Sequence, residues 1–318
     1  MKKISVVIPC FNEEDNVRPI CEAVCGVMER ELAHYDYEIV FIDNKSLDHT
    51  RDIIAALCAE NPRVKAIFNA RNFGQFNSPY HALCQVDGDC AVLLCCDFQD
   101  PVEMIAQFVR EWENGYKIVC GIKTSSRENR FMRLLRTCYY KLIRRMSSVE
   151  QIEHFTGFGL YDASFLAVLR SLDDPTPFLR GIVAELGFAR KDIAYEQQRR
   201  RAGKTSNNFF RLFDAAMLSF TSYTKTGLRI ATLVGFVMSF LSIASALVYL
   251  CLKLIYWDRF PAGTTPILLA VLVLGSVQLF FIGLVGEYIM SMNARIMHRP
   301  LVIEETRLNF EKKENNDA

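Results

Sequence analysis

The first part of the chain alternates two hydrophobic patterns. Short apolar runs rich in β-branched residues, at 4–8, 37–42, 64–68, 90–96 and 117–121, predict strands. Between them, apolar residues recur at helical spacing in 17–32, 48–58, 78–86 and 102–113. This β-α-β-α rhythm predicts an α/β, Rossmann-like fold with a mostly parallel sheet covered on both faces. Ligands then belong at the C-terminal ends of the strands.

Later the pattern changes. Residues 230–252 are 23 positions without a charge, and residues 266–286 are another 21. At about 1.5 Å per helical residue, each can cross a hydrocarbon core of about 30 Å. The reading is two transmembrane α-helices. The short connection between them carries Lys253, Asp258 and Arg259, whereas Arg211, Lys225, Arg229, Arg295, Arg299, Lys312 and Lys313 lie outside the pair. The positive-inside bias places both termini, and the domain that precedes the pair, on the cytoplasmic side. Residues 131–146 form an amphipathic helix whose apolar face runs from Phe131 to Met146, with Arg133, Arg136, Lys141, Arg144 and Arg145 around it. Such a helix suits an anionic interface or a packing partner. Residues 207–221 present Phe209, Phe210, Phe213, Met217 and Phe220 just before the first span and read as a second interfacial helix.

Composition narrows the classes. With 37 Lys+Arg against 36 Asp+Glu there is no general basic surface for nucleic acid, so any basic function is local. The eleven cysteines lie in apolar runs or at helical spacing with no C-x-x-C pair, which fits a reduced compartment and not a zinc site. The N-terminal apolar stretch is too short for a signal peptide. The expected domains are 1–206, including the helix at 131–146; a juxtamembrane helix and linker, 207–227; a two-helix hairpin, 228–290; and a cytoplasmic tail, 291–318.

Polar groups collect where the strands end. The first strand closes on Pro9-Cys10-Phe11-Asn12-Glu13-Glu14, and the second delivers Asp43, with Ser46 placed to cap the next helix and Asp48 to favour its dipole. Asp43 points into the crevice in this reading and can accept a hydrogen bond from a base or ribose; capping is its other role. The fourth strand delivers Asp97-Phe98-Gln99-Asp100-Pro101. A hard divalent ion bridging a diphosphate wants carboxylate oxygen, which makes Asp97 the natural ligand. Asp100, before Pro101, is either a helix cap or a catalytic group.

These segments, in this order, resemble the family-2 glycosyltransferases of GT-A fold, and within them the polyprenyl-phosphate group that includes dolichol-phosphate mannose synthase and bactoprenol glucosyltransferases. The resemblance runs through the segments just quoted, then Arg71-Asn72-Phe73-Gly74, Arg201-Ala202-Gly203-Lys204, the two spans and Arg299-Pro300-Leu301-Val302-Ile303. It implies that Pro9, Phe11, Glu13 and Asp43 form the floor of a nucleotide pocket, with Asn12 and Asn72 among the nucleotide-sugar contacts. It also implies that Asp97 is the metal aspartate, Gln99 faces the donor sugar, and Asp100 belongs to the catalytic group. Lys123 sits where the family has a basic residue near the phosphates, and Arg200, Arg201 and Lys204 fall on its mobile basic loop.

Three positions depart from the family pattern. Cys95-Cys96-Asp97 lacks the first carboxylate of Asp-x-Asp; Gly157 and Gly159 replace an aspartate proposed as base and an arginine; and Thr205-Ser206 stands where Ser-Lys is usual. A phosphate monoester acceptor is already ionised at pH 7, so it needs positive charge more than a strong base. Lys123, Arg127, Arg130, Arg133 and the basic cluster at 199–204 supply that charge.

The expected activity is inverting transfer of a sugar from a nucleoside-diphosphate sugar, UDP-linked, to undecaprenyl or similar polyprenyl phosphate, for cell-envelope polysaccharide or glycan modification. The cofactor expected is Mg²⁺ or Mn²⁺, and the partners are nucleotide sugar, lipid phosphate and membrane, with homo-oligomerisation a further expectation. A processive polysaccharide synthase and a non-catalytic lipid-linked-sugar scaffold or translocator are the alternatives. The first needs more spans and a Gln-x-x-Arg-Trp motif, whose tryptophan is missing after Gln197-Gln198-Arg199-Arg200. The second would place more polar residues inside the spans.

Overall fold

The computed structural model describes residues 1–125, 152–172, 174–198, 226–255, 264–297 and 299–310, together with Met217. They fall into two compact units, one within Met1–Tyr140, Glu150–Asn208 and Met297–Ala318, the other within Phe209–Ile296.

The first unit is built on β1 (Lys3–Cys10), β2 (Asp36–Asp43), β3 (Val64–Asn69), β4 (Cys90–Leu93), β5 (Ile118–Ser125), β6 (Phe155–Asp162), β7 (Arg190–Glu196) and β8 (Glu304–Leu308). They form one sheet in the order β7-β5-β6-β4-β1-β2-β3-β8. Strands β4, β1, β2 and β3 run parallel. β6 is antiparallel to β4 and β5, β7 is parallel to β5, and β8 runs antiparallel along the free edge of β3.

Successive strand residues point to opposite faces, and in the central strands both faces are apolar. Ile4, Val6 and Ile8 of β1 join a core with α1 (Val17–Glu31), α2 (Thr50–Glu60) and α4 (Met104–Glu113). Val7 of the same strand joins a second core with α3 (Gly74–Gln85), α5 (Ala163–Ser171) and α6 (Leu179–Glu185). All four of these β1 side chains are fully buried. A strand covered on both faces reads as a continuous apolar run, which is why the central strands were visible in the sequence.

Two expected boundaries move. The strand expected at 90–96 ends at Leu93, whose partners are Val7 and Gly159; the Leu94 amide makes one more bond, to the Val7 carbonyl, before the chain turns away. The helix expected from Ser78 starts a turn earlier, at Gly74. Ser78-Pro79 looks like a cap and first helical position, but the start is made by Asn72, whose Oδ1 accepts the Gly74 amide at 2.9 Å. Strands β6 to β8 and helices α5 and α6 lay outside the expected elements. The segment expected as a tail from 291 instead divides between the two units: helix runs on to Ile296, and β8 belongs to the sheet.

The second unit contains α7 (Thr226–Ile255) and α8 (Thr264–Ile296). Among the described residues one helix is long and apolar enough to cross a membrane, over Val273–Ala294 with mean hydropathy 1.7. That window overlaps the span expected at 266–286 and runs past its end, because the helix continues through Gly286 to Ile296. Large side chains such as Phe236, Phe240 and Leu279 are more than 70% exposed. The helix expected at 131–146 lies outside the described residues, and so does that at 207–221 apart from Met217.

Candidate functional site

The sheet order reverses beside β1: β2 and β3 follow on one side, while β4 lies on the other. In such sheets the crevice opens above the strand ends at this point. Among the described residues five non-glycine residues have positive φ: Asn12, Lys45, Phe98, His154 and Asn309. The first three follow β1, β2 and β4, and His154 precedes β6, which runs the opposite way, so four of the five lie along one edge of the sheet. Non-glycine residues held in this region cost about 1–3 kcal/mol and concentrate at functional sites.

The loops after β1 and β2 are knitted together. The Asn12 amide donates to Ser46 Oγ at 2.9 Å and the Leu47 amide returns a bond to Asn12 Oδ1 at 2.8 Å. The Glu13 amide donates to Thr50 Oγ1 at 2.8 Å, and the Glu13 carboxylate accepts from Asn16 Nδ2 at 2.6 Å. Ser46 thus holds the neighbouring loop and does not cap α2. Asp48 is structural, as expected, with its carboxylate accepting from the Thr50 amide and hydroxyl and from the Glu14 amide. Asp43 is fully buried; it accepts from the Ser46 amide at 3.1 Å and from Arg51 Nε at 2.7 Å. Its carboxylate therefore shapes the loop from beneath. Pro9 and Phe11 are half-buried and Asn12 is exposed at the rim. Asn72 is exposed, and its Oδ1 also accepts from Asn44 Nδ2 at 2.9 Å.

Beyond β4, Asp97 Oδ1 accepts the Gln99 amide at 3.1 Å, and the residue between them, Phe98, takes φ 58° to make that tight turn. Asp97 is 6% exposed. Asp100 does not cap α4, whose flanking residue is Glu103 with no side-chain bond. It accepts instead from the Tyr195 hydroxyl of β7 at 2.5 Å. Burial pushes the Asp100 carboxyl above its ordinary range, against the hydrogen bonds of Tyr195 and Cys95 and the charge of Lys123. Burial also pushes the Lys123 ammonium down, against the pull of Asp100, Cys95 and Asp97 and with the help of Arg180. Asp97, Asp100 and Lys123 thus share one electrostatic environment. Gln99 adds a further tie, because its carbonyl accepts the Gln198 amide at 3.0 Å. That bond ties Gln198, which precedes the basic cluster at 199–204 in the sequence, to the turn that carries Asp97.

Among the described residues no three His, Cys, Asp or Glu side chains converge as a metal site. The donor set fits a divalent ion only if Asp97 shares it with ligand oxygens. Arg127, Arg130, Arg200, Arg201 and Lys204 lie outside the described residues.

The two glycine departures have backbone reasons. Gly157 adopts φ +104°, where an L side chain is strained, and its carbonyl accepts the Tyr161 hydroxyl at 2.6 Å. A Cβ on Gly159 would overlap the Val119 carbonyl oxygen of the paired strand β5. Arg51, Arg180 and Tyr195 escaped the sequence reading. Arg51 could have been suspected from its place one helical turn into the segment after Asp43; Tyr195, a lone aromatic in a weak strand pattern, left no signal.

Residues 5–173 match the family described as Glycosyl transferase family 2. The chain is 30% identical over 302 residues to a bactoprenol glucosyl transferase of Shigella phage SfV, covering 95% of this chain and 97% of the relative. It is equally similar to a prophage bactoprenol glucosyl transferase homolog of Escherichia coli K12, covering 95% and 98%. Among solved structures, mannosyl-3-phosphoglycerate synthase from Rubrobacter xylanophilus superposes with TM-score 0.48 at 19% identity, over 68% of this chain and 71% of that one.

Proposed function

The chain belongs to glycosyl transferase family 2 and is a glycosyltransferase, and from that premise we propose that it transfers a sugar from a UDP-linked donor to a polyprenyl phosphate at the cytoplasmic membrane face. The observation that carries the reading is the convergence, at the β1/β4 reversal, of the Asp97–Gln99 turn, tied to β7 through Asp100 and Tyr195, with the interlocked loops after β1 and β2. The identity of the acceptor is supported by relatives named for bactoprenol, matched over nearly their whole length.

In this reading the loops built from Pro9, Phe11, Asn12 and Glu13, with Asp43 beneath and Asn72 beside them, receive the nucleotide. Asp97, with the donor diphosphate, would hold Mg²⁺ or Mn²⁺, and the ion would supply positive charge to the departing diphosphate. Gln99 faces the sugar. Asp100 keeps the Asp97 turn docked on β7 through Tyr195. Lys123, with Arg127, Arg130, Arg200, Arg201 and Lys204, brings two anions together, the step on which the reaction depends when the nucleophile is already ionised. One in-line displacement inverts the anomeric carbon.

Membrane attachment has its own support. A chain that leaves the sheet unit before α7 and returns to it at β8 crosses a bilayer an even number of times. In this reading α8 carries one spanning stretch, α7 supplies the second crossing, and the positive-inside bias sets both termini on the cytoplasmic side.

The test is incubation of the purified full chain with labelled nucleotide sugars, Mg²⁺ or Mn²⁺ and polyprenyl phosphate, then extraction into organic solvent. Label in a short lipid product is expected. Asp97→Ala should lower the rate at least about 100-fold, the scale of losing one preorganised charge-stabilising group. Label in insoluble polymer, or none with any donor, would sink the proposal.

A further inference from the structure

Buried Asp43 and half-buried Arg51 form an ion pair beneath the loop between β2 and α2, and that pair is joined by a residue from the far end of the chain. The Arg51 guanidinium uses all three nitrogens: Nε to Asp43 Oδ2 at 2.7 Å, one terminal nitrogen to the Asn69 carbonyl at 2.8 Å, and the other to Glu305 Oε2 at 2.9 Å. Its face lies over the Phe68 ring, 5.1 Å from the centroid. The same Glu305 oxygen accepts from Lys45 Nζ at 2.8 Å. Lys45 is the residue of this loop held at φ 63°.

Glu305 reaches this place because β8 is irregular. Thr306 pairs with Phe68 and Glu304 with Asn69, so Glu305 is the extra residue of a β-bulge. A bulge re-aims a side chain, and here it turns one carboxylate towards two cations, Lys45 of the loop and Arg51 of the first turn of α2. The inner half of the relay, Asp43 with Arg51, has side-chain exposures of 0% and 24%; the outer half, Glu305, is 46% exposed. An exposed ion pair contributes little to global stability. Its geometry can still decide where Lys45 and Arg51 stand, and from Arg51 the order passes through Asp43 and Ser46 to the amide of Asn12.

We propose that Glu305, delivered by the strand that follows the helical pair, is a positioning residue that fixes the β2 loop in its nucleotide-receiving conformation. This rests on the donor-site reading given above. It assigns the chain beyond the helices a part in donor binding, and the C-terminal strand then completes the pocket as well as covering an edge.

The experiment compares the full-length wild type with Glu305→Gln in UDP affinity, in donor KM and kcat, and in hydrogen exchange of amides 44–48. Expected is a rise of about five- to tenfold in both UDP Kd and donor KM, with kcat within about twofold, a pattern of lost binding without lost chemistry. Exchange at 44–48 should accelerate while the melting temperature hardly moves. Combining Glu305→Gln with Arg51→Lys should add little to Arg51→Lys alone, since both act through one contact. Unchanged affinity and unchanged exchange in Glu305→Gln would overturn the proposal. So would a fall of kcat and melting temperature together, which marks a merely structural role. If the wild type binds no UDP while exchange at 44–48 still accelerates in the variant, the donor-site reading fails and the positioning role stands.

Discussion

Gly157 and Gly159 stand where the resemblance implied charged side chains, and the backbone here disfavours both. With φ at +104° an L residue at 157 is strained, and at 159 the Val119 carbonyl leaves no room for a Cβ. Restoring the family's aspartate is therefore not a gain. Gly157→Asp is expected to destabilise the protein by about 1–3 kcal/mol without raising turnover, read from thermal unfolding and the lipid-extraction assay. Missing carboxylates could be read from the sequence; the reason for their absence could not, because φ and the β5–β6 approach are set by pairing. Asp97 and Asp100 stand out in the sequence just after the fourth strand, and Lys123 only through the family resemblance. The Tyr195 bond that removes Asp100 from its capping role was not legible, since it joins residues 95 positions apart.

At the level of elements, β8 shows how much a short strand can depend on side chains at its start. Glu304 accepts from His81 Nε2 at 2.5 Å and from Arg307 Nε and Nη2, and the same Nη2 also donates to Gln85 Oε1 at 2.7 Å. Burial raises the Glu304 carboxyl, but the His81 and Arg307 hydrogen bonds outweigh it and draw it from 4.5 down to about 2. A carboxylate held more acidic in the folded state stabilises above its unfolded value, and that contribution is lost as pH falls towards the folded one. The hold on β8 should thus weaken between about pH 4.5 and pH 2, seen as faster hydrogen exchange of 304–308, and Glu304→Gln should flatten that dependence. Uniform exchange across this range in the wild type would contradict it. The elements missed in the sequence were of this kind: β7 alternates weakly and β8 carries Glu304, Glu305 and Arg307, so neither shows an apolar run. Central strands advertise themselves because both faces are buried, whereas edge strands are recognised only by their neighbours.

Over the whole molecule the chain builds most of a sheet, departs into two long helices and comes back to add the last strand. With two spans, tags at residue 1 and residue 318 should be reached by protease from the same side of sealed vesicles; access from opposite sides would exclude an even number of crossings. Taken alone, the sequence determined the α/β class, the polar residues gathered after the strands and the membrane-length apolar stretches. These follow from hydrophobic period and local turn chemistry, which are properties of neighbouring residues. The tertiary structure decided what Asp43, Asp100 and Ser46 bind, why a side chain is strained at Gly157 and has no room at Gly159, and that Glu305 reaches back 254 positions to Arg51. Those outcomes depend on strand order, a bulge and close backbone approach, and such long-range pairings leave no trace in the spacing of residues along the chain.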